Sequence, residues 1–531
     1  MTYTVFGHTV GNVRSNTLPI KIAILFLSLL CVLSACGSTT SQTPQSKVGG
    51  TLNVGLQSDV VTLDPMKSSA LYDRQVMYNI YDTLVQVNAQ NDVVPDLATS
   101  WTYKTPTQLI FTLHAGINFQ DGTPFNAAAV VFNINRYLNT PLSFRASELS
   151  AVKSVVAQDA LHVVFNLKKP FSPLLATLSD RAGMILSPTA VQKLGASLAN
   201  SPVNAGTGPF IFSTWLKGDH LTLKRNPNYW QKDSQGQTLP YLNSIVYHPF
   251  TNGTVEYSNL QTGTINVADS VDPNDVTNAQ ANPSLVYKQI PALSFYGMEM
   301  NTKAAPFDNL YVRQAIEWGV NRPEILTSVL KGLGVLAQGP IAPTSWAFNS
   351  QFAPYSYNVS QAKKLLAQGG HPNGISFNLI IASGSPLTTL LAQYLQSELQ
   401  PAGITVNIKQ ETFAALLSDG TAHNFQALLL NWSGRPDPDG NMYTYFHTGG
   451  SNNDMQFSNP QVDSLLDQAR VDQALPARTA DYQKAEQLIM QNAPYVFFYH
   501  GVSQEAITTA VKNFTLLPSG MMTFTNVYLG S

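Results

Sequence analysis

The chain has 531 residues, which is too many for one ordinary hydrophobic core, so we expect two or more domains. The formal net charge is −2, and only 12% of the residues are Asp, Glu, Lys or Arg. No long run of like charges interrupts this pattern. The composition therefore argues against nucleic acid as a partner and against ligand capture through bulk electrostatics.

The N-terminal segment predicts a processed leader rather than part of the fold. Arg14 and Lys21 precede an apolar run at residues 22–35. That run is short for a bilayer-spanning helix, which needs roughly 20 residues, but has the length of a signal-peptide core. It ends in Leu33-Ser34-Ala35-Cys36, which resembles the bacterial lipobox, in which the cysteine thiol becomes the lipid attachment point. Residues 1–35 are therefore predicted to be a lipoprotein signal peptide; an ordinary secretory signal with an incidental Cys36 is the alternative.

The cysteine count agrees with a lipid anchor. The chain has two cysteines, and Cys31 lies within the signal peptide. The mature protein would keep only Cys36, so no internal disulfide is expected. Residues 36–47 contain mainly Ser, Thr, Gln and Pro and are predicted to be a flexible tether. The predicted location is the outer face of a bacterial cytoplasmic membrane, at the cell surface or in the periplasm.

The first half of the chain shows short segments with strand or helix periodicity. They predict a strand at 50–56, a helix around 75–84, a strand at 108–113, a helix at 126–138 capped near Asn126, and strands at 161–167, 210–215 and 221–225.

The second half alternates more regularly between helix and strand. A helix should begin after Asp308 or Asn309, and a second should restart at 321–324 with Pro323 in its first turn. The following elements are a strand at 375–381, a helix at 386–400, a strand at 404–409, a short helix at 413–418, a strand at 425–430, helices at 459–471 and 478–492, and a strand at 495–500. This alternation indicates a mixed α/β sheet.

One loop is a candidate for ligand recognition. The apolar segment 425–430 leads directly into residues 431–440, which are rich in Gly and Pro and contain Trp432, Arg435 and two aspartates. In open α/β sheets, ligands bind beyond the carboxyl ends of the strands. The alternative is a structural turn in which Arg435 pairs with Asp437 or Asp439.

Sequence signatures of enzymes and metal sites are missing. No G-x-S-x-G occurs, and the two S-x-x-K segments, 150–153 and 328–331, lack a companion K-T-G. Gly332-x-Gly334 follows a helix rather than a strand, so it is no dinucleotide fingerprint. The nine histidines form no H-x-x-x-H or H-E-x-x-H pair. We expect no enzymatic activity, no cofactor and no metal bound directly by side chains.

Eight short motifs follow one another between residues 48 and 500. They are Leu63-Asp64-Pro65; Pro95-Asp96-Leu97-Ala98 with Ser100-Trp101; Phe119, Asp121-Gly122 and Pro124; Gly206-Thr207-Gly208-Pro209-Phe210; Arg225-Asn226-Pro227 with Tyr229-Trp230; Phe307-Asp308 with Val312-Arg313-Gln314-Ala315-Ile316; Ala362-Lys363-Lys364-Leu365-Leu366; and Trp432 with Asp437-Pro438. Each alone is weak. In this order, and behind a lipobox, they make the chain resemble the extracellular solute-binding proteins of family 5, the oligopeptide-, dipeptide- and nickel-binding group of ABC importers.

The resemblance implies an α/β fold of two lobes, periplasmic-binding-protein-like and of the cluster C type, with an extra domain inserted in the N-terminal lobe. By the family pattern, lobe I would comprise residues 48–84, 189–290 and 501–531. The inserted domain II would lie near 85–188, and lobe II (domain III) near 291–500.

The resemblance also implies where a ligand would bind. In peptide-binding members an extended peptide lies between the lobes and pairs with backbone that maps to Ser69–Leu71 and to the tryptophan loop. Backbone pairing would allow peptides of many sequences to bind, because the hydrogen bonds involve the peptide main chain rather than its side chains. Aromatic candidates for the cleft are Tyr296, Trp346, Trp432, Tyr443 and Tyr445, each equally able to be core. The candidate ligand-binding residues are Ser69, Ala70, Leu71, Tyr296, Asn431, Trp432, Ser433, Gly434, Arg435 and Asp437.

Position 435 departs from the family pattern. Peptide binders of the family commonly place an Asp three residues after the tryptophan, where it neutralises the peptide's amino group. Here that residue is Arg435, whose guanidinium prefers a carboxylate or phosphate. Either the ligand presents an anion there, or Arg435 is tied to Asp437 and the loop is displaced.

The implied activity is capture without chemistry. Two lobes would close on an oligopeptide or similar small solute and deliver it to an ABC permease with its ATPase. The expected partners are that ligand, the permease complex and the membrane through the N-terminal lipid, with the protein itself a monomer. The alternatives are a ligand-sensing surface lipoprotein that signals to a membrane partner, or a binder of a non-peptide anion or metal chelate.

Overall fold

Three larger β-sheets organise the residues that the computed structural model describes, 47–141 and 143–530. The predicted signal peptide, Cys31, Cys36 and the tether up to residue 46 lie outside the described residues. Among the helices of the described ranges, none is both long and apolar enough to cross a membrane.

The first sheet has seven strands and joins the two ends of the described chain. Thr51–Leu56 pairs in parallel with Ser244–Pro249 on one side and with Val267–Ala268 on the other. Leu52, Val54 and Leu56 point into its core, as the alternating pattern predicted. We call this sheet and its helices the first lobe. Its spatial strand order is Leu285–Pro291, Val502–Thr508, Val267–Ala268, Thr51–Leu56, Ser244–Pro249, His220–Arg225 and Phe210–Leu216.

The second sheet has six strands of mixed direction, as predicted. Ile375–Ala382 runs parallel to both Ile404–Glu411 and Ala427–Trp432, whereas Phe295–Met300 is antiparallel to Ala427–Trp432. We call this sheet and its helices the second lobe. Its spatial strand order is Val335–Leu336, Tyr495–His500, Phe295–Met300, Ala427–Trp432, Ile375–Ala382 and Ile404–Glu411.

The third sheet has four antiparallel strands and a core of its own around Phe111 and Phe165. Its spatial order is Ala98–Thr105, Gln108–Leu113, His162–Leu167 and Val152–Ala157. Two ribbons complete the strands of the described residues: Val85–Val87 with Val93–Pro95, and Val511–Lys512 with Tyr528–Leu529. The domain limits given above stay a prediction, because sheet membership alone does not fix where one domain ends.

Most predicted helices begin at a polar capping residue. The side chains of Asn126, Asn309, Thr412 and Asn459 accept hydrogen bonds from the first turns that follow them, so Asn309 rather than Asp308 caps its helix. The α-helices are Leu71–Met77, Ala127–Asn139, Arg145–Glu148, Leu174–Thr177, Pro188–Leu194, Gly253–Gln261, Val276–Ala281, Leu310–Gly319, Arg322–Glu324, Val359–Gln368, Pro386–Leu399, Phe413–Thr421, Asp439–Phe446, Pro460–Val471 and Leu475–Asn492; Ile325–Val329 is a π-helical turn, and Arg181–Gly183, Gly195–Ala199 and Gln400–Ala402 are 3₁₀ turns.

Several predicted boundaries are wrong, among them those of two elements next to the candidate ligand-binding residues. The helix placed around 75–84 is Leu71–Met77 instead. It ends early because the carbonyls of Asn79 and Ile80 accept hydrogen bonds from the backbone of Phe210 and Gly208 (3.0 Å each). The strand placed at 425–430 runs to Trp432, which pairs with Phe295 on the neighbouring strand. Trp432 is therefore the last strand residue rather than part of the loop.

Candidate functional site

A cleft with a volume of about 730 Å³ lies between the first and second lobes. Its first-lobe wall includes residues 57–61 and 269–273, which follow two parallel neighbouring strands, together with 502–505. The carboxyl ends of parallel strands meet at one sheet edge, where ligands usually bind. Its second-lobe wall includes Tyr296, Asn431, Ser433 and Tyr499.

A smaller pocket of about 50 Å³ adjoins the cleft and shares six lining residues with it: Leu71, Tyr72, Phe413, Leu430, Asn431 and Ser433. The pocket brings together two sequence-predicted segments that lie far apart in the chain. They are Ser69, Ala70 and Leu71 from the first lobe, and Asn431, Trp432 and Ser433 from the second. Tyr72 and Phe413 meet edge to face across the same boundary, with ring centroids 5.8 Å apart.

The aromatic candidates divide between the cleft and the core. Tyr296 lines the cleft and stacks on Tyr499 at 4.6 Å, and burial followed by the charge of Asp269 raises the pKa of Tyr296 to about 12. Its hydroxyl therefore stays protonated at neutral pH. Tyr445 lines the small pocket. Neither cavity is lined by Trp346, which packs on Tyr482, or by Tyr443, which stacks on His447.

The proposed pairing of Arg435 with Asp437 or Asp439 is wrong. Arg478 binds both oxygens of Asp437 (2.8 and 2.9 Å), and Arg470 binds both oxygens of Asp439 (2.7 and 2.9 Å). These arginines come from the helices Leu475–Asn492 and Pro460–Val471, so both carboxylates of the loop are paired with helices of the second lobe. Asp437 therefore lies in a structural ion pair and lines neither cavity.

Arg435 forms an ion pair with Asp180 instead, with its Nε 2.8 Å from Oδ2. Its guanidinium also lies over the Trp432 ring, 4.2 Å from the ring centroid. Sequence reasoning missed Asp180, because no local spacing links the two residues. The loop reaches this contact through Gly434 (φ +80°), where an added Cβ would lie 2.3 Å from the Leu293 carbonyl carbon.

Asp180 is the centre of a buried arginine cluster. Its carboxylate also forms ion pairs with Arg74 (3.2 Å) and Arg181 (3.6 Å). Burial alone would raise the pKa of Asp180, but Arg74, Arg435 and Arg181 hold it well below its usual value. Burial and the neighbouring Arg74 lower the pKa of Arg435 to about 10, so it remains charged at neutral pH. Arg435 thus has a carboxylate partner within the protein, although Asp180 shares its single negative charge among three guanidiniums.

Ser433 connects this cluster with the cleft. Its Oγ accepts hydrogen bonds from Arg74 Nη1 (3.0 Å) and Arg435 Nη1 (3.2 Å). Because a hydroxyl oxygen has two acceptor positions and one hydrogen, the O–H of Ser433 stays available to donate. Ser433 lines both cavities, so it can present this donor to a ligand.

No group of three or more His, Cys, Asp or Glu side chains within 47–141 and 143–530 is arranged to hold a metal ion.

Known proteins share this architecture. The family model described as "Bacterial extracellular solute-binding proteins, family 5 Middle" matches residues 92–453. The glutathione-binding protein GsiB of Escherichia coli (strain K12) is 28% identical over 475 residues, covering 87% of this chain and 90% of that protein.

Solved structures superpose over nearly the whole chain. The ABC transporter-associated periplasmic binding protein DppA from Helicobacter pylori, in complex with the peptide STSA, is 27% identical with a TM-score of 0.84, covering 92% of this chain and 99% of that one. The binding protein AgaA from A. tumefaciens R10, in complex with agropinic acid, is 25% identical with a TM-score of 0.83, covering 91% and 99%. The predicted two-lobed α/β fold is confirmed, as is the prediction of a binding protein rather than an enzyme.

The arginine cluster predicts an asymmetric response to mutation. Asp180→Asn leaves Arg74, Arg181 and Arg435 without their shared carboxylate, and we expect it to lower the free energy of unfolding by about 3–5 kcal/mol. Arg435→Met should lower the free energy of unfolding by a smaller amount, because Asp180 keeps two arginine partners. Urea and thermal unfolding of both variants would measure this order. A larger loss in Arg435→Met than in Asp180→Asn would contradict the central role of Asp180.

Proposed function

We propose that this chain, which belongs to the bacterial extracellular solute-binding proteins of family 5, captures small peptides or peptide-like solutes and delivers them to the permease and ATPase of an ABC importer. The observation that carries this proposal is the cleft itself, whose walls come from both lobes. Its volume of about 730 Å³ lies within the roughly 300–1,000 Å³ of small-molecule sites. One ligand of a few residues fits that space.

The ligand would contact both lobes at once. Backbone of Ser69–Leu71 would face it from one side, with Asn431, Trp432 and Ser433 on the other, and Tyr296 would line the cleft. Contacts with both walls stabilise the closed arrangement relative to the open one, so binding and hinge closure are linked. Gly434, Arg435 and Asp437 take a positioning role in this proposal, because their contacts are within the protein.

Peptide-like cargo is favoured over a simple anion. Two relatives are named as binding glutathione and the peptide STSA, and a third as binding agropinic acid. An anion recognised by Arg435 would have to compete with Asp180, which already lies 2.8 Å from the guanidinium. A non-peptide anion or a metal chelate remains the second candidate, and the cargo measurement below separates it from a peptide.

The cargo test uses the untagged chain from Lys47 onward, purified without refolding. Native mass spectrometry should show the protein with a small bound ligand, and denaturation should release short peptides or a peptide-like compound. Release of a metal chelate or a non-peptide anion would contradict peptide capture. An empty protein that also fails to bind any member of a di- to pentapeptide library would contradict it as well.

The membrane anchor belongs to the same proposal. Cys36 would carry the lipid, residues 1–35 would be removed, and residues 36–47 would tether a monomeric binding domain to the outer face of the cytoplasmic membrane. A surface lipoprotein that only senses its ligand would share this anchor. Dependence of ligand uptake on a permease, measured in cells, favours transport over sensing.

Lipid attachment makes a separate prediction. In a bacterial host, Cys36→Ser should abolish labelling by radioactive palmitate, because the thiol that would carry the lipid is absent. Cys31→Ser is the matched control, since Cys31 would be removed with the signal peptide, and it should leave labelling unchanged. Labelled Cys36→Ser protein would contradict attachment at this cysteine.

A further inference from the structure

The first-lobe wall of the cleft contains acidic side chains that form no ion pair with a basic residue of the described chain. Asp269 and Glu505 line the cleft, and Glu256 lies directly behind Asp269. Glu256 is 0% exposed and Glu505 is 2% exposed. Within the described ranges of the chain, no Lys, Arg or His forms an ion pair with any of the three. Because a buried carboxylate without a partner is costly, burial raises the pKa of Glu505 well above its usual value, and a positive charge beside it would favour the ionised form.

Asp269 and Glu256 form a carboxyl pair. The backbone N–H of Asp269 donates to Glu256 Oε1 at 3.0 Å, and the N–H of Gln57 donates to Asp269 Oδ2 at 3.4 Å. Burial, and then the charge of Asp269, raise the pKa of Glu256 well above its usual value. Burial also raises the pKa of Asp269 to about 7. Two adjacent carboxyls of this kind do not both ionise, and a cationic group beside them would favour the ionised form of Asp269.

Two further buried oxygens have no hydrogen-bond donor from the described protein. They are Glu505 Oε2 and Gln75 Oε1, on side chains that are 98% and 97% buried. Both residues line the same cavity as Asp269. Their unused oxygens point to a ligand group that is rich in hydrogen-bond donors.

The nearby lysines are engaged elsewhere. Lys288 lies opposite Glu505 on the adjacent strand, but its Nζ donates to the Phe514 carbonyl at 2.6 Å. Lys217, at the edge of the cleft, lies over the Trp215 ring at 4.7 Å. The charge of Lys288 offsets part of the rise that burial causes in the pKa of Glu505, but neither lysine forms an ion pair with Glu505 or Asp269.

We propose that the cleft recognises an ammonium group of its ligand on the first-lobe wall, at Asp269, with Glu505 and Gln75 accepting its other N–H groups. An ammonium carries three donors and no acceptor, which matches three acceptor side chains and neutralises their charge. Arg435 on the second lobe would repel such a group, so the amino end is directed to the opposite wall. This inference rests on the proposed capture function and adds the chemistry of one end of the cargo.

The test compares free and blocked amines on the chain from Lys47 onward. Trialanine, N-acetyltrialanine, putrescine and diacetylputrescine would be titrated by calorimetry at neutral pH. We expect trialanine to bind the wild-type protein about 10- to 100-fold more tightly than its acetylated form, the value of a charge-assisted hydrogen bond. Asp269→Asn and Glu505→Gln should each reduce this preference.

A matched control is Asp272→Asn. Asp272 also lines the cleft, but its Oδ1 already accepts hydrogen bonds from the Asn274 N–H and Nδ2 (3.0 and 2.9 Å). The control should keep the preference for the free amine.

Stability of the ligand-free protein gives an independent readout. Glu505→Gln keeps the shape of the side chain, and Glu505 Oε2 has no hydrogen-bond partner to lose, so the ligand-free melting temperature should stay unchanged as amine binding weakens. A purely structural Glu505 would give a fall in melting temperature. That fall, together with an unchanged preference for the free amine, would overturn the role assigned to Glu505.

The outcomes separate this inference from the capture function. Equal binding of free and acetylated trialanine would overturn the ammonium site while peptide capture stands. Tight binding of putrescine but not of diacetylputrescine, with no binding of peptides, would support the ammonium site and contradict peptide capture. No binding of any free amine would overturn the ammonium site, whatever cargo mass spectrometry finds.

Discussion

One buried carboxylate, that of Asp180, forms ion pairs with residues from both lobes that surround the cleft. Arg74 comes from the first-lobe helix Leu71–Met77, and Arg435 comes from the second-lobe loop. Since both reach the same carboxylate, the loop after Trp432 cannot move without exposing or unpairing a buried charge. That cost is what makes the position of Ser433 well defined, because its hydroxyl oxygen accepts from both guanidiniums.

The same cluster also fixes the first-lobe side of the small pocket. Arg145 and Arg181 both donate to the carbonyl of Ser68 (3.2 and 3.0 Å), the residue before Ser69–Leu71. Positive charge is therefore concentrated behind the small pocket, whereas the first-lobe wall of the cleft contains the carboxyls of Asp269 and Glu505. If a ligand ammonium binds at these carboxyls, as proposed above, a ligand with unlike ends would bind in one orientation.

Much of the architecture could be predicted because it depends on local pattern. Each of these patterns can be recognised within a few neighbouring residues. Examples are the alternation in Thr51–Leu56, the cap at Asn126 and the alternating elements after residue 375. The resemblance to family 5 predicted that Ser69–Leu71 and Trp432 lie at one site. The residue pattern alone would not have predicted this. The partner of Arg435 could not be predicted, because Asp180 is distant in the chain and carries no motif. Asp437 and Asp439 lie nearer to Arg435 in the sequence. Both instead form ion pairs with arginines of helices elsewhere in the second lobe. Likewise Glu505 lies in a strand whose sequence gives no sign that its carboxyl is buried beside a cavity.

The most direct test of the account is a crystal structure of the protein with its natural cargo. The account predicts cargo between the lobes, in contact with Tyr296 or Ser433 on one wall and with Asp269 on the other, while Arg435 stays on Asp180. Cargo bound outside the cleft would contradict it. So would a ligand anion that displaces Asp180 from Arg435, because the cluster would then be the recognition site rather than its support.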